Sequence, residues 1–191
     1  LFRHKETALG HIPTSGLTGE ESSITIGGFN MCKEQIFTIF GGTGDLTFRK
    51  LIPAFYNMEA FKNKDLCTQL VIIGRRDYTS GEYREMARRW VEKFARLGYK
   101  EEIYEKLAEK MTYYRMDFTD ASAYVDLDAF YRGMGDVEHI FYFAVAPRFF
   151  EIIVKGLQLV SGAGNGKVVI EKPFGENLLA AASLNATMET F

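Results

Sequence analysis

Apolar residues occur along this chain in two alternating patterns, continuous runs and stripes at helical spacing. The first run, 35–40, ends in a cluster of glycines, and four more runs follow at 69–74, 111–116, 139–147 and 167–170, with amphipathic segments between them. Continuous apolar strands are buried on both faces, which is typical of parallel sheets connected by helices. The pattern predicts an α/β fold, with a doubly wound, mostly parallel sheet and helices on both of its faces.

Helical spacing also predicts which residues of the first two helices are buried. Glu59 of the first helix is expected to face solvent. The expected apolar face of that helix consists of Leu46, Leu51, Ile52, Phe55 and Met58. The second helix is expected to begin at Thr79 or Ser80, either of which can cap an amino terminus. Its expected apolar stripe is core packing and consists of Met86, Trp90, Phe94 and Leu97.

The glycines between the first strand and the first helix indicate a nucleotide-binding turn. Glycine permits a sharp reversal of the chain and leaves no side chain between the backbone and a diphosphate, while the helix amino terminus offers unpaired N–H groups. The spacing lacks the full G-x-G-x-x-G motif, so a glycine turn that joins any strand to any helix remains an alternative. The residues predicted to hold a diphosphate are Gly41, Gly42, Thr43, Gly44, Asp45 and Leu46.

Charged residues follow the second strand directly. In a dinucleotide-binding fold this position lies beside the adenosine ribose, where an acidic residue receives the 2′-hydroxyl of NAD and an arginine accommodates the 2′-phosphate of NADP. Arg75 and Arg76 favour NADP, whereas Asp77 leaves NAD as an alternative. A solvated pair of surface charges is the structural alternative. The sequence therefore predicts a dinucleotide cofactor, with NADP preferred.

Two further strand ends carry candidate site residues. The fourth strand closes on Val145, Ala146 and Pro147, whose small side chains would let a ligand approach the backbone at the edge where open α/β sheets bind ligands. Lys172 follows the fifth strand and would hold a phosphate or a sugar hydroxyl, or else be a surface charge. His139 begins the fourth strand, at the opposite rim of the sheet, and is expected to be structural.

Composition excludes several function classes. With 23 basic and 25 acidic residues the net charge is 23 − 25 = −2, which provides no basic field for nucleic acid. No segment approaches the run of about 18 apolar residues that a membrane span requires. Cys32 and Cys67 lie far apart, without histidine at ligand spacing, so neither a zinc site nor a disulfide framework is expected. A reducing cytoplasm is the expected location.

The first part of the chain differs in composition from the rest. Residues 1–30 are rich in glycine, serine and threonine and show no apolar periodicity, so we expect a flexible leader, vector-derived, with Met31 as the natural start. Residues 31–191 are expected to form the cofactor-binding domain.

Five segments together resemble the glucose-6-phosphate dehydrogenase family, from about Glu34 to the end of the chain. The first is the glycine turn with Arg49-Lys50-Leu51, and the second is Ile73-Gly74 with its arginines. The others are Phe141-Tyr142, the stretch from Val145 to Phe150, and Glu171-Lys172-Pro173-Phe174-Gly175. The first and last segments are specific in combination, because an unrelated dinucleotide-binding domain would not carry both in this order.

The resemblance implies oxidation of glucose 6-phosphate to 6-phosphogluconolactone with reduction of NADP, the first step of the oxidative pentose phosphate pathway. It implies that 41–48 is the diphosphate loop and that Arg75 or Arg76 takes the 2′-phosphate. It further implies that Lys172 contacts both substrate and nicotinamide, and that the full-length protein is a homo-oligomer. The residues it places along the nicotinamide are Val145, Ala146, Pro147 and Phe150.

The resemblance also predicts what this chain lacks. The family's general-base histidine lies in an Arg-Ile-Asp-His-Tyr-Leu-Gly-Lys-Glu segment, which this sequence does not contain, and a substrate and dimerisation domain should follow. We therefore expect a cofactor domain of a longer enzyme, with no catalytic residue in this chain and no activity alone. A non-catalytic NADP-binding sensor is the alternative, and the reading frame beyond Phe191 distinguishes the two.

Two other enzyme classes are excluded by their motifs. A short-chain dehydrogenase requires Tyr-x-x-x-Lys, and none of the ten tyrosines has a lysine four residues later. A phosphate-transfer P-loop requires G-x-x-x-x-G-K-[ST], but Gly166-Lys167 has Ser161 in place of the first glycine and Val168 in place of the hydroxyl residue.

Overall fold

Within the part of the chain that the structure describes, five parallel strands form one sheet, as the continuous apolar runs predict. The computed structural model describes residues 34–62, 68–135 and 137–171. The strands lie in the order β3-β2-β1-β4-β5, and each neighbouring pair is parallel. Their bounds are β1 (Gln35–Phe40), β2 (Thr68–Gly74), β3 (Met111–Arg115), β4 (Glu138–Phe143) and β5 (Lys167–Ile170). The predicted α/β class and parallel sheet are confirmed.

Helices connect the strands and cover both faces of the sheet. The chain turns helical at Asp45 and passes through a π-helical turn, Thr47–Leu51, before the first regular helix. The helices are α1 (Ile52–Lys62), α2 (Ser80–Phe94), α3 (Glu101–Glu109), α4 (Ala123–Arg132) and α5 (Phe150–Leu157). Buried side chains form two clusters, one beneath α1, α2 and α3 and the other beneath α4 and α5. The sheet is therefore covered on both faces, as in a doubly wound fold.

Glu59 of α1 is buried, which corrects the expectation that it faces solvent. Glu59 is only 5% exposed, and its carboxylate accepts a hydrogen bond of 2.8 Å from Lys110 Nζ at the end of α3. Met58, expected in the core, is 44% exposed. Because α3 packs against α1 and supplies a cation, the buried face of α1 includes a charged residue that periodicity alone assigns to solvent.

The buried stripe of α2 is displaced by one position from the predicted one. The residues that face the sheet are Tyr83, Ala87 and Val91, each fully buried at intervals of four. Trp90 lies on the flank of the helix and stacks on Phe48 at a centroid distance of 5.8 Å. Leu97 lies beyond the end of the helix and is 53% exposed. Large aromatic side chains on the flank therefore widen the apolar face beyond the row that contacts the sheet.

The strand order reverses beside β1, and this reversal locates the crevice of the fold. β1 pairs with β2 on one side and with β4 on the other, so the connections that follow β1 and β4 leave the sheet in opposite directions. In open α/β sheets, ligands bind at the carboxyl ends of the strands at such a reversal. A ligand-binding site is therefore expected at the carboxyl ends of β1 and β4.

Several predicted features lie outside the described residues. These include the leader 1–30 and both cysteines, for which the earlier expectations stay predictions. Across the described ranges, no helix combines the length and the apolar character that crossing a bilayer requires.

Candidate functional site

A cavity of about 440 Å³ opens at the carboxyl edge of the sheet, beside β1 and β4. The ends of β1, β2 and β4 supply most of its wall, and the segment after β3 supplies the rest. The residues that line it are Gly41, Thr43, Gly44, Gly74, Arg75, Arg76, Phe118, Ala144 and Val145. The structure thus brings the glycine turn, the arginine pair and Val145 together around one space.

Backbone hydrogen bonds hold the glycine turn against β2. The N–H groups of Gly41 and Gly42 both donate to the carbonyl of Ile73, at 3.2 and 2.8 Å. The N–H of Gly44 donates to the Gly41 carbonyl at 3.0 Å, and the Thr47 hydroxyl donates to the same carbonyl at 3.1 Å. The following helix begins beside the cavity, and the N–H groups of its first turn have no acceptor within the helix. Such a helix end attracts an anion.

The glycines of this turn have different roles. A Cβ on Gly41 would lie 2.3 Å from the carbonyl oxygen of Ala144, and one on Gly42 would lie 2.1 Å from Cγ2 of Ile72. These two positions make room for atoms of the protein itself. A Cβ on Gly44 would have no protein atom nearer than 3.2 Å. Of the three, Gly44 is the least crowded, and it lines the cavity together with Gly41.

The turn after β2 is rich in charge. Arg75 and Arg76 are exposed and line the cavity. The carboxylate of Asp77 accepts a hydrogen bond of 3.0 Å from Arg115 Nη1 at the end of β3, so the acidic residue that would favour NAD is already bound to a cation. Hydrogen bonds from Thr119, and to a smaller extent the positive charge of Arg75, lower the pKa of Asp117. The arginines leave this rim suited to an anion.

The remaining residues of the predicted diphosphate loop lie next to the cavity without lining it. Asp45 is exposed and forms an ion pair of 3.4 Å with Arg49, one helical turn later. Leu46 is half-buried and packs against the cluster beneath α1. Gly42 is buried where the turn packs against β2.

The predicted nicotinamide side is divided between the edge and the core. Ala146 and Pro147 are exposed just beyond Val145, at a short 3₁₀ turn, Pro147–Phe149. Phe150 is only 2% exposed, and its ring packs on Phe143 at 5.6 Å. The Phe150 ring therefore belongs to the core and does not line the cavity.

Lys172 lies outside the described residues, but its neighbour is held at the same edge. The Tyr142 hydroxyl at the end of β4 donates a hydrogen bond of 2.7 Å to the carboxylate of Glu171. Burial, and then the nearby carboxylate, raises the pKa of Tyr142, so this hydroxyl remains protonated and keeps its role as donor. The end of β5 is thereby tied to the end of β4.

Sequence reasoning missed several residues of this site. Phe118 lines the cavity, and its position shortly after β3 is a signal that could have identified it. The hydroxyl groups of Tyr83 and Tyr113 donate to the two turns at the cavity, to the Gly42 carbonyl at 2.6 Å and to the Arg76 carbonyl at 2.9 Å. Both tyrosines fit an ordinary buried pattern, so no sequence signal separates them from core residues.

Other cavities and clusters do not share these features. A larger cavity of about 740 Å³ lies along α1 and the end of α2; it is lined mainly by apolar residues such as Met58 and Phe61 and includes no part of the glycine turn. His139 is buried at the opposite rim between Tyr131 and Phe141, which agrees with a structural role. In 34–62, 68–135 and 137–171, no group of three or more potential metal ligands occurs.

Comparison with known proteins agrees with this geometry. The family model of the glucose-6-phosphate dehydrogenase NAD binding domain matches residues 38–191. The chain is 33% identical over 180 residues to a glucose-6-phosphate 1-dehydrogenase of Chlamydia pneumoniae, in a match that covers 84% of the chain and 34% of the relative. It is 34% identical over 166 residues to the enzyme of Leuconostoc mesenteroides, in a match that covers 82% and 33%.

Solved structures show the same relationship. The crystal structure of glucose-6-phosphate 1-dehydrogenase from Mycobacterium avium matches 82% of this chain and 34% of its own, with a TM-score of 0.74 and 27% identity. A glucose-6-phosphate dehydrogenase in complex with glucose 6-phosphate has a TM-score of 0.68 at 22% identity, which supports the fold alone. The chain spans about one third of the length of these relatives.

Proposed function

Because this chain belongs to the glucose-6-phosphate dehydrogenase family, we propose that its cavity binds NADP and that the full-length protein oxidises glucose 6-phosphate to 6-phosphogluconolactone. The nicotinamide cofactor follows from the family's NAD binding domain. The preference for NADP rests on Arg75 and Arg76 in the turn after β2, which we call the arginine turn. The first step of the oxidative pentose phosphate pathway is the corresponding place in metabolism, and a cytoplasmic homo-oligomer is the corresponding form of the full protein.

One observation carries the cofactor assignment: the glycine turn and both arginines line the same cavity. Gly44 lines the cavity at the start of a helix, a position that suits a diphosphate. Arg75 and Arg76 lie on another wall of that cavity, at the end of β2 where the adenosine ribose binds in this fold. Asp77, which would otherwise receive the ribose hydroxyls, is bound to Arg115.

The chemistry divides between the cofactor domain and the rest of the enzyme. NADP would accept a hydride from C1 of the sugar. The C1 hydroxyl proton must pass to a base within hydrogen-bond reach, and such assistance typically contributes about 10²–10⁴-fold to the rate. In our proposal Lys172 contacts the substrate and the nicotinamide, while Val145, Ala146 and Pro147 border the nicotinamide side of the cavity.

The 191-residue chain alone is proposed to bind cofactor without oxidising the sugar. His139 lies at the opposite rim, and the other two histidines of the sequence, His4 and His11, precede β1 and belong to no family motif. We expect no NADPH absorbance when the chain is mixed with NADP and glucose 6-phosphate. Steady formation of NADPH that is lost in Lys172→Ala would contradict this part of the proposal.

The cofactor assignment is tested by titrating NADP and NAD into the unaltered chain and into Arg75→Ala and Arg76→Ala. A charge-assisted hydrogen bond contributes roughly 1.5–3 kcal/mol, so loss of the arginine that binds the 2′-phosphate should weaken NADP by about one to two decades. The affinity for NAD should stay within about threefold of its original value. Isothermal titration calorimetry gives both dissociation constants.

Arg89→Ala is the matched control, because Arg89 is also exposed but lies on the outer face of α2 and does not line the cavity. It should leave both affinities unchanged. If neither arginine substitution in the turn changes the NADP to NAD ratio, the assignment of NADP at this rim is wrong. If the unaltered chain binds neither dinucleotide, the assignment of the cavity is wrong.

A further inference from the structure

Two buried tyrosines extend from the core to the glycine turn and the arginine turn. Tyr83 comes from α2 and Tyr113 from β3, and their rings stack at a centroid distance of 5.1 Å with an angle of 17°. Tyr83 is fully buried and Tyr113 is 7% exposed. Both belong to the cluster beneath α1, α2 and α3. The stacked pair forms a rigid support between that core and the carboxyl edge of the sheet.

Each hydroxyl binds the backbone of a different turn at the cavity. Tyr83 donates to the carbonyl of Gly42 at 2.6 Å, and Tyr113 donates to the carbonyl of Arg76 at 2.9 Å. Gly42 lies in the turn between β1 and the first helical residues, outside both, so Tyr83 supplies the partner that a regular element would otherwise provide. Arg76 lies in the arginine turn, and its carbonyl also accepts a hydrogen bond of 3.1 Å from the Tyr78 N–H.

Gly74 leaves the space through which Tyr113 reaches the arginine turn. A Cβ on Gly74 would lie 2.6 Å from the Tyr113 hydroxyl and 3.2 Å from Cγ2 of Thr43. A side chain at this position would therefore displace the hydroxyl from the Arg76 carbonyl or push the glycine turn away. The end of β2, the glycine turn and Tyr113 are packed so closely that a shift of one moves the others.

Burial also keeps both hydroxyl groups in the donor form. It raises the pKa of Tyr83 well above the ordinary value, and it raises the pKa of Tyr113 as well. Neither group ionises near neutral pH, so both hydroxyl groups stay available as hydrogen-bond donors there.

We propose that Tyr83 and Tyr113 are positioning residues that divide cofactor recognition between them. Tyr83 orients the glycine turn, which binds the diphosphate, through the Gly42 carbonyl. Tyr113 orients the arginine turn, which binds the 2′-phosphate, through the Arg76 carbonyl. The inference rests on the proposed function and names the residues on which its two binding elements depend. Neither tyrosine touches the cofactor. Tyr83 supports the turn whose members Thr43 and Gly44 line the cavity, and Tyr113 supports the turn that carries the cavity-lining side chains of Arg75 and Arg76.

The test uses Tyr83→Phe and Tyr113→Phe in the full 191-residue chain, with NADP and NAD titrated into each. Each substitution keeps the ring and removes one hydrogen bond. Tyr83→Phe should weaken NADP and NAD by the same factor, about three- to tenfold, because both dinucleotides carry the diphosphate. Tyr113→Phe should weaken NADP by about three- to tenfold and NAD by less than about twofold, because the 2′-phosphate is present only on NADP.

Tyr56→Phe is the matched control. Its hydroxyl is also buried and donates to a loop carbonyl, that of Gly98 at 2.9 Å, but this loop lies away from the cavity. This variant should lower the melting temperature without changing either affinity. Amide hydrogen exchange at Gly42 and Gly44, whose N–H groups donate to the carbonyls of Ile73 and Gly41, provides a second measurement in the absence of cofactor. It should become faster in Tyr83→Phe but not in Tyr56→Phe.

Three outcomes would overturn the inference. Both cavity variants could behave like Tyr56→Phe, with lower melting temperatures and unchanged affinities, which would show that the hydroxyl groups are only structural. Tyr113→Phe could weaken NADP and NAD equally, which would remove the division of roles. If the unaltered chain binds neither dinucleotide, the proposed function itself fails and takes this inference with it, so the two failures are distinguishable.

Discussion

At the scale of single residues, the glycine turn shows that one motif can combine two unrelated requirements. Gly41 has a φ of +91°, in the left-handed region that favours glycine, and lies against Ala144. Gly44 is less crowded: a Cβ there would lie 3.2 Å from the Gly41 carbonyl oxygen, and Gly44 lines the cavity as Gly41 does. We therefore expect substitution at Gly41 to affect mainly folding and substitution at Gly44 to affect mainly ligand binding.

Gly41→Ala is expected to lower the free energy of unfolding by roughly 2–5 kcal/mol, because a left-handed alanine and a forced contact with the Ala144 carbonyl add their costs. Gly44→Ala is expected to change stability by about 1 kcal/mol or less but to weaken NADP about tenfold or more, since its methyl group would occupy diphosphate space. Urea denaturation and cofactor titration measure the two effects. Equal effects of both variants on stability and on binding would contradict this separation.

At the scale of elements, the start of α2 determines where the arginine turn ends. Thr79 and Glu82 form a reciprocal capping box: the Glu82 N–H donates to the Thr79 hydroxyl at 3.2 Å, and the Thr79 N–H donates to the Glu82 carboxylate at 2.8 Å. The Thr79 N–H and the Thr79 hydroxyl both donate to the Glu82 carboxylate, the hydroxyl at 2.9 Å, and these two hydrogen bonds lower the pKa of Glu82. The cap satisfies amino-terminal N–H groups that would otherwise lack partners, and it lies three residues after Arg76.

Thr79→Ala should therefore destabilise the protein by about 1 kcal/mol, within a range of about 0.5–2 kcal/mol. The change should appear as a lower midpoint of urea denaturation. Ser122→Ala is the control, because Ser122 stands at the amino end of α4 but makes no capping hydrogen bond there. It should stay within about 0.5 kcal/mol of the unaltered chain. Equal losses in the two variants would show that the capping box contributes nothing specific.

At the scale of the whole molecule, each rim of the sheet carries a cavity, but only the one at the carboxyl rim includes the glycine turn. His139 at the amino rim is buried between aromatic rings, parallel to Phe141 and edge-on to Tyr131. Its Nδ1 has no hydrogen-bond partner among the described residues. Burial lowers the pKa of His139 because the charged imidazolium would lose its solvation.

This histidine should make folding stability depend on pH. Its folded-state pKa lies below its unfolded value of about 6.5, so the unfolded chain binds the proton more readily. The contribution is fully present above about pH 6.5 and is lost progressively as the pH falls below that value. Urea denaturation between about pH 7.5 and pH 5.5 should show a decreasing midpoint, and His139→Gln should reduce the slope. An unchanged slope in His139→Gln would assign the pH dependence to other groups.

Much of this protein was determined by its sequence alone, because periodicity and turn chemistry are local properties of the chain. Continuous apolar runs predicted the parallel strands, and the glycine and arginine segments predicted which strand ends would carry the site. Both segments do line one cavity. Their meeting was predictable because the carboxyl ends of parallel strands share one edge of the sheet.

Tertiary structure alone decided which partner each side chain meets. Tyr83 and Gly42 are 41 residues apart, and Glu59 and Lys110 are 51 apart, so no local pattern records that a tyrosine binds the glycine turn or that a carboxylate is buried with a lysine. Phe150 likewise follows the fourth strand in sequence but packs into the core. Spacing along a helix or strand determines the direction of a side chain, whereas its contacts depend on which other element folds against it.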